Sequence, residues 1–166
     1  MKKTTLRTAL VAIILVLVLG PGWALADDTD WMDPQGCGSC GLGDCSAALT
    51  SNDVYASASA VSLAECSFGD YSLGIPECAE IHGIEVGLEW YGVETDEDDF
   101  ALGVQISWNS GGDWTGLESD LSEPASDSDT LVLLGGPTDT WGHNWTPDQL
   151  SNDNFGVKVV AESDPG

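Results

Sequence analysis

The chain has 166 residues, of which 28 are acidic and 4 are lysine or arginine. So few cations cannot neutralise phosphate groups, which excludes nucleic acid as a partner and arginine-based phosphoryl transfer as a chemistry. The length fits a single domain.

Residues 1–26 have the pattern of a secretory signal peptide. Lys2, Lys3 and Arg7 precede an apolar run over 9–20, which is short for a membrane span, and a small-x-small exit follows at 24–26. Cleavage after Ala26 leaves Lys158 as the only side-chain cation against 28 carboxylates, a formal side-chain charge of −27. We therefore expect a secreted, extracellular protein that keeps no transmembrane anchor after cleavage.

Residues 27–50 form an acidic arm that is rich in Gly and Cys and shows no periodicity, and residues 51–162 form the domain that follows. Export makes disulfides the default state of cysteine, and an odd number of cysteines leaves at least one thiol over or paired between chains. We expect one bridge between Cys66 and Cys78, on either side of a turn, and one inside the arm. The arm carries the cluster Cys37, Cys40 and Cys45.

Alternation of apolar and polar residues, which is typical of half-buried strands, begins after the arm. It predicts strands over 54–61 and 70–75, the second stopped by Pro76, and then over 81–93 and 100–108 with Trp90 and Trp108 facing inward. The run between the last two holds five carboxylates in six residues, and we interpret it as a hairpin tip. Carboxylates crowded in a loop are also what Ca²⁺ uses as ligands. The calcium hypothesis assigns Asp96, Glu97, Asp98 and Asp99 to the metal, with solvated loop as the alternative.

The C-terminal third continues the pattern. Residues 109–113 have turn chemistry, 114–115 are a short return strand, and 117–129 form a polar loop. Strands follow over 130–134 and 154–161, with a Gly-, Pro- and Trp-rich loop over 135–145 and one helical turn over 146–150 that has Thr146 as its N-cap. Short strands without a sustained helical period predict an all-β fold, an antiparallel β-sandwich of jelly-roll or immunoglobulin-like type.

Several segments occur together in an order that resembles an uncharacterised all-β module recurring in secreted and cell-surface bacterial proteins. They are 53–56 (DVYA), 73–76 (LGIP), 81–86 (IHGIEV), 106–108 (ISW), 135–142 (GGPTDTWG), 145–147 (WTP), Leu150 and 154–159 (NFGVKV). The resemblance covers about residues 46–161, and its C-terminal stretch is the specific part. It implies a compact β-sandwich used outside the cell as a structural or interaction module, and it brings no catalytic residues with it. The cysteine-rich arm and Cys78 depart from the pattern.

Tryptophans in the loops give a second functional hypothesis. Trp114, Trp141 and Trp145 lie at turns or loops, and flat aromatic surface near carboxylates such as Asp139 can stack on sugar rings. The structural alternative is that Trp141 and Trp145 close one end of the domain, with Asp139 accepting hydrogen bonds from backbone amides. We expect no catalytic residues, because no nucleophile elbow exists and any pair of acids is easily found among 28.

These patterns predict a non-enzymatic extracellular structural protein, such as a filament or matrix subunit. Its partners would be copies of itself or an extracellular matrix or surface partner. The alternative is a carbohydrate-binding module that uses the loop tryptophans and takes a glycan, with Ca²⁺ as the one cofactor considered.

Overall fold

The computed structural model describes residues 6–7, 12–19, 27–41, 43–50, 56–58, 63–90, 100–120 and 130–163. About half of these residues belong to strands in two antiparallel sheets, and the helices among them are short 3-10 turns at Cys45–Ala48 and Pro147–Leu150. The all-β prediction is confirmed. In the described ranges, no helix has the length and apolar character needed to cross a membrane.

One sheet has four strands and is organised around a long central strand. Its order is β10 (Thr130–Gly136), β7 (Glu80–Trp90), β2 (Ala12–Leu19) and β3 (Asp27–Asp28). The backbone of β7 is therefore paired on both sides, to β10 along one edge and to β2, from the predicted signal segment, along the other. A separate two-stranded ribbon pairs β1 (Leu6–Arg7) with β5 (Ser57–Ala58). The rest of the strand predicted over 54–61 lies outside the described residues, apart from Ala56.

The other sheet has five strands. Its order is β4 (Gly36–Cys40), β6 (Leu63–Gly69), β11 (Gly156–Ser163), β8 (Phe100–Ser107) and β9 (Glu118–Asp120). The central strand β11 pairs with β6 on one side and β8 on the other, so that Val157 lies between Phe68 and Ile106. Part of the 27–50 arm thus contributes an edge strand to this sheet.

Both sheets send alternate side chains into one buried cluster. Ile84, Val86 and Leu88 of β7 have no exposed surface, as is true of Val104 and Val159 from the five-stranded sheet. The period-two alternation predicted for 81–93, 100–108 and 154–161 is confirmed at these positions, because alternate residues of a strand point to opposite faces. Trp90 is buried as expected, whereas Trp108 follows the end of β8 and is only half-buried.

The predicted hairpin between 81–93 and 100–108 is wrong. β7 pairs with β10 and β2, while β8 pairs with β11 and β9, so the two strands belong to different sheets. Two amphipathic strands joined by a short connection satisfy their apolar faces equally well as neighbours or as members of different sheets, and periodicity does not distinguish these cases. The acidic run between them, with Asp96, Glu97, Asp98 and Asp99, lies outside the described residues.

The strand predicted over 70–75 is also misplaced. The strand is β6, which ends at Gly69, and the residues after it have an irregular path. Asp70, Ser72 and Gly74 have φ values of 59°, 53° and 63°, in the left-handed region that no strand accommodates. A second difference is β9, which occupies part of the predicted loop over 117–129.

Two local predictions near the C-terminus are confirmed. The 109–113 segment is a turn in which Asn109 Oδ1 accepts a 2.6 Å hydrogen bond from the Asp113 backbone. The helical turn is the 3-10 segment Pro147–Leu150, capped at Thr146, whose backbone N–H donates to Gln149 Oε1 at 3.0 Å. Trp114 forms a single bridge to Ser107 rather than a return strand.

The cysteines pair partly as predicted. Cys37 is bonded to Cys45 inside the arm, which confirms one pair, but Cys66 is bonded to Cys40, and Cys78 is free and exposed. The predicted Cys66–Cys78 bridge is wrong because β4 lies beside β6 and brings Cys40 directly opposite Cys66. The second bridge therefore ties the arm to the five-stranded sheet.

Tyr71 carries a hydroxyl that is buried without a hydrogen-bond partner, and its ring packs edge-on against Phe155 at 5.7 Å. Burial first, and the charge of Asp33 second, raise the pKa of this hydroxyl well above its usual value. An unsatisfied buried hydroxyl costs about 1–3 kcal/mol. We therefore predict that Tyr71→Phe, which keeps the ring, raises the free energy of unfolding by about 1 kcal/mol in urea denaturation.

The control for this prediction is Tyr71→Leu, which removes the same hydroxyl together with the aromatic contact to Phe155. This variant should lower the free energy of unfolding. Equal stability of wild type and Tyr71→Phe would contradict the idea that the hydroxyl is unsatisfied.

Candidate functional site

A groove lined by aromatic side chains lies beside the loop tryptophans. It has a volume of about 440 Å³ and lies between the end of β8, the 114–118 segment and the 141–143 loop. Its lining includes Trp108, Trp114, Leu117, Glu118, Trp141 and His143. Three tryptophans from three separate segments therefore meet at one place, which we call the aromatic groove.

The loop over 135–142 reaches the groove along a path that depends on close backbone approach. Gly135 and Gly142 have φ values of 77° and 69°, and Trp141 itself has a φ of 54°. A side chain at Gly135 would collide with the Ile84 carbonyl and with the Trp141 indole, so only glycine fits there. Asp139 Oδ1 stabilises the turn by accepting a 2.8 Å hydrogen bond from the Trp141 backbone.

Trp141 and Trp145 are held by hydrogen bonds to the protein itself. Trp141 is 5 % exposed and its Nε1–H donates to the Ile84 carbonyl at 2.9 Å. Trp145 is 8 % exposed and its Nε1–H donates to the Thr140 carbonyl at 2.8 Å. Buried indoles with satisfied donors are the arrangement expected for structural residues. Trp141 thus forms part of the lining of the groove, and Trp145 packs against Phe155 at 5.9 Å.

Trp108 and His143 form a stacked pair at the groove. Their ring centroids are 4.1 Å apart and the ring planes differ by 8°. The edge of Trp145 faces both rings, and His143 Nε2 lies 3.3 Å from Gln149 Oε1. Both rings of the pair are half-buried, so each keeps some surface exposed to solvent.

Trp114, which also lines the groove, is half-buried like Trp108. Lys158 Nζ lies 4.6 Å from the centroid of its ring, a distance at which a cation is attracted to an aromatic face. The same ammonium group is 3.8 Å from Glu65 Oε1. Trp114 also borders a second, open pocket of about 480 Å³, which is lined by β4, β6, the 109–113 turn and the 152–156 segment.

Glu118 supplies the carboxylate of the groove. Partial burial raises its pKa, the nearby charge of Asp139 acts in the same direction, and a hydrogen bond with the Gly135 backbone opposes both. The ionised form is therefore less stable here than in water. A carboxylate beside exposed indole surface can accept hydrogen bonds from hydroxyl groups of a bound molecule.

The structure brings together only some of the predicted site residues. Trp114 and Trp141 line the same groove, whereas Trp145 lies behind it and Asp139 supports it from the turn. Among the residues that are described, no group of three or more His, Cys, Asp or Glu side chains could hold a metal ion. The predicted calcium ligands fall outside those residues, and the calcium hypothesis stays a prediction.

Sequence reasoning missed three groups in the groove. The sequence pattern places Trp108 in the core and Glu118 in a polar loop, and it assigns no role to His143. The available signal was local: Trp108, Trp114 and His143 all neighbour glycine-rich turns, where strand ends present side chains to a common rim. Nothing in the spacing indicates that His143 stacks on Trp108.

Comparison with protein-family models, with curated proteins and with solved structures gave no match for this chain.

The raised pKa of Glu118 gives a prediction about stability and pH. A carboxyl group whose pKa is higher in the folded than in the unfolded state makes stability fall as pH rises through that interval. Glu118→Gln should therefore raise the melting temperature at pH 7 and lose this advantage at pH values below the usual carboxyl range. The group is mostly solvated, so the gain is at most about 0.5 kcal/mol, or about 1–2 °C.

Calorimetry of Glu118→Gln across the acid range tests this, with Glu77→Gln as the control. Glu77 is exposed, so its replacement removes the same charge without relieving burial. Identical melting temperatures for the two variants at pH 7 would contradict the assignment of a desolvated carboxylate to the groove.

Proposed function

We propose that this chain is an exported, non-enzymatic β-sandwich that acts outside the cell as a structural or self-assembly subunit. The signal-peptide pattern and the two disulfides support export, because disulfides persist in oxidising compartments. The resemblance to a module of secreted and cell-surface bacterial proteins supports the same role.

The sandwich is the architecture that best accounts for the shared core. Strands β7 and β10 contribute Ile84, Val86 and Leu134, and strands β8 and β11 contribute Val104 and Val159, to a single hydrophobic cluster. Two sheets that face each other across a common hydrophobic core are the defining feature of a β-sandwich. A rigid domain of this kind suits a subunit that presents its edges and outer faces to neighbours.

The exposed leucine pair on β10 is the observation that carries the assembly proposal. Val132 and Leu134 are each 8 % exposed, whereas Leu131 and Leu133 on the opposite face are 54 % and 49 % exposed. Leu133 lies opposite Gly87 in the register, so the neighbouring strand offers no side chain to cover it. Among the described strands, β10 is also an edge strand, with β7 as its one ladder partner.

The exposed leucine pair on an edge strand supports the proposal that this face is an interaction surface. Natural proteins protect such strands with charges or by covering them, because an uncovered edge readily associates with another chain. This chain has 28 acidic residues to place on its surface, yet it carries leucine at both outward positions. Contact between copies would cover the pair.

The engaged histidines support a non-enzymatic role. His143 stacks on Trp108 and its Nε2 lies beside the Gln149 amide oxygen, while His82 Nε2 is 3.9 Å from Glu80 Oε1. In nucleophilic catalysis the base is often a histidine within hydrogen-bond reach of a Ser or Cys side chain. The neighbours of these two rings, Trp108, Gln149 and Glu80, are not nucleophiles of that kind.

We predict that the double variant Leu131→Ser, Leu133→Ser weakens self-association of the secreted protein at least about tenfold. Burial of one leucine side chain contributes about 1.5–3 kcal/mol, and 1.4 kcal/mol is a factor of ten in affinity. Sedimentation velocity over a range of concentrations at physiological salt measures the change. Trp31→Ser is the control, because Trp31 is 42 % exposed and belongs to the 27–50 arm rather than to β10.

A strictly monomeric wild-type protein at every concentration, or equal association of the wild type and the double variant, would contradict assembly through this face.

The aromatic groove favours a second candidate function, carbohydrate binding. Trp108 and Trp114 expose part of their rings beside Glu118, which combines apolar ring surface with a hydrogen-bond acceptor. Sugars have an apolar ring face, which matches the exposed indole surface, and a polar edge, which matches the carboxylate acceptor. Because Trp141 and Trp145 donate to backbone carbonyls and are buried, Trp114 is the stacking residue of this hypothesis.

We predict that Trp114→Ala reduces binding on a glycan array at least about tenfold, since the loss combines a stacking energy of about 0.5–1.5 kcal/mol with that of the apolar area buried on the ring. Trp31→Ala is the matched control, because Trp31 is 42 % exposed and lies outside the groove. Circular dichroism establishes that both variants are folded. Undiminished binding in folded Trp114→Ala, or no bound glycan at all, would remove this candidate.

A further inference from the structure

The edge of β7 opposite β10 is occupied by a segment that the mature protein would not have. The backbone of Ala12–Leu19 pairs with β7 from Glu80 to Leu88. This segment belongs to the predicted signal peptide, and β3 has β2 as its one ladder partner among the described strands. Cleavage after Ala26 would therefore remove the ladder along the whole of this edge.

Loss of β2 would leave a buried strand with an open side. Ile84, Val86 and Leu88 have no exposed surface while β2 is in place. Without it, alternate N–H and C=O groups of β7 would have no ladder partner, and the row of apolar side chains would be reachable from the edge. A long, regular apolar edge of this kind accepts an added strand.

We propose that, in the secreted protein, the β7 edge is occupied by β7 of a second copy, in an antiparallel two-fold pair centred on Val86. The proposal rests on the export and self-association proposed above. It joins the four-stranded sheets of two subunits across their β7 edges, and it deepens the assembly proposal by naming the strand and the register.

The register follows from keeping inward residues opposite inward residues and carboxylates apart. Antiparallel residues that lie directly opposite share one face, so the sum of the paired residue numbers must be even. Centring on residue 85 or 87 places Glu85 opposite itself or opposite Glu89, and like charges directly opposite destabilise a sheet. Centring on residue 84 shortens the match and sets Glu80 against Leu88.

Centring on Val86 avoids each of these penalties. Ile84 then lies opposite Leu88 and Val86 opposite its own copy, which continues the apolar inner row across the interface. On the other face, Glu85 lies opposite Gly87 and Glu89 opposite Gly83, so both acids face residues without side chains. Seven residues from each copy pair, and they stop short of His82, where the ladder to β2 has a register shift.

The two-fold pair and the leucine face on β10 are different surfaces of one subunit. β10 and the β7 edge lie on opposite sides of the β10–β7 pair. A closed two-fold contact at one surface combined with a second contact elsewhere produces extended assemblies. This fits the proposed role as a filament or matrix subunit.

Cysteine crosslinking of the exported protein tests the register. The full 166-residue precursor is expressed with its own signal segment in a Cys78→Ser background, which removes the free thiol, and the secreted product is purified. Val86→Cys places two thiols on residues directly opposite each other, with Cβ atoms about 4.5–5.5 Å apart. Ile84→Cys is the matched control: the two copies of residue 84 are four residues apart along the strands, about 13 Å, beyond the reach of a disulfide.

We expect at least about tenfold more disulfide-linked dimer for Val86→Cys than for Ile84→Cys on non-reducing electrophoresis after mild oxidation. The intact mass of the secreted product should lack residues 1–26. Equal crosslinking of the two variants, no crosslinking of folded Val86→Cys, or a secreted product that retains residues 12–19 would overturn the proposal. If folded Val86→Cys does not crosslink, the β7 edge is covered by another segment of the same chain or by a different protein.

The outcomes separate this inference from the proposed function. If Val86→Cys fails to crosslink while association still depends on Leu131 and Leu133, self-assembly stands and the β7 pairing is wrong. If the secreted wild-type protein is monomeric throughout, both proposals are wrong.

Discussion

The backbone of Ile84 holds the 135–142 turn against β7 through two hydrogen bonds. Its N–H donates to the Asp139 carbonyl at 2.9 Å, and its carbonyl accepts from Trp141 Nε1, also at 2.9 Å. These bonds fix the 135–142 turn to the middle of β7. They are possible because Gly83 and Gly135 carry no side chain: a Cβ at Gly83 would collide with the backbone of Gly136 and Pro137. Residues 141–143, at the end of this turn, form one wall of the aromatic groove.

Charge has a limited part in this fold because so few cations are present. Lys158, the only side-chain cation after the predicted cleavage site, lies over the Trp114 ring and within 4 Å of Glu65. Most carboxylates must therefore be accommodated by solvation and separation rather than by ion pairs. The Asp44 carboxylate is stabilised in another way: the side chain and the backbone of Ser46 donate hydrogen bonds to it at the start of a 3-10 turn, and these bonds lower its pKa. Stability comes from the apolar core, the ladders and the disulfides.

The two proposals about association use different parts of the same sheet. Leu131 and Leu133 present an apolar face, and the β7 edge presents ladder groups together with an apolar row. Glycines matter in both places. Gly87 leaves Leu133 uncovered. In the proposed two-fold pair, Gly83 and Gly87 would lie opposite glutamates of the second copy and leave room for their side chains. Carbohydrate binding at the aromatic groove would use a third surface and is compatible with either form of association.

The local pattern of residues is sufficient to predict the class of the fold and the inward faces of its main strands. Alternation at 84, 86 and 88, and again at 102, 104 and 106, is a local property of the chain, and burial follows it directly. Turn chemistry at 109–113 and the cap at Thr146 are equally local. Which strands are neighbours emerges only in the folded chain: β7 and β8 belong to different sheets, Cys66 faces Cys40 rather than Cys78, and Trp108 stacks on His143 and lines the same groove as Trp114. The physical reason is that an amphipathic strand specifies which face it buries but not its partner, which depends on contacts between residues far apart in the chain.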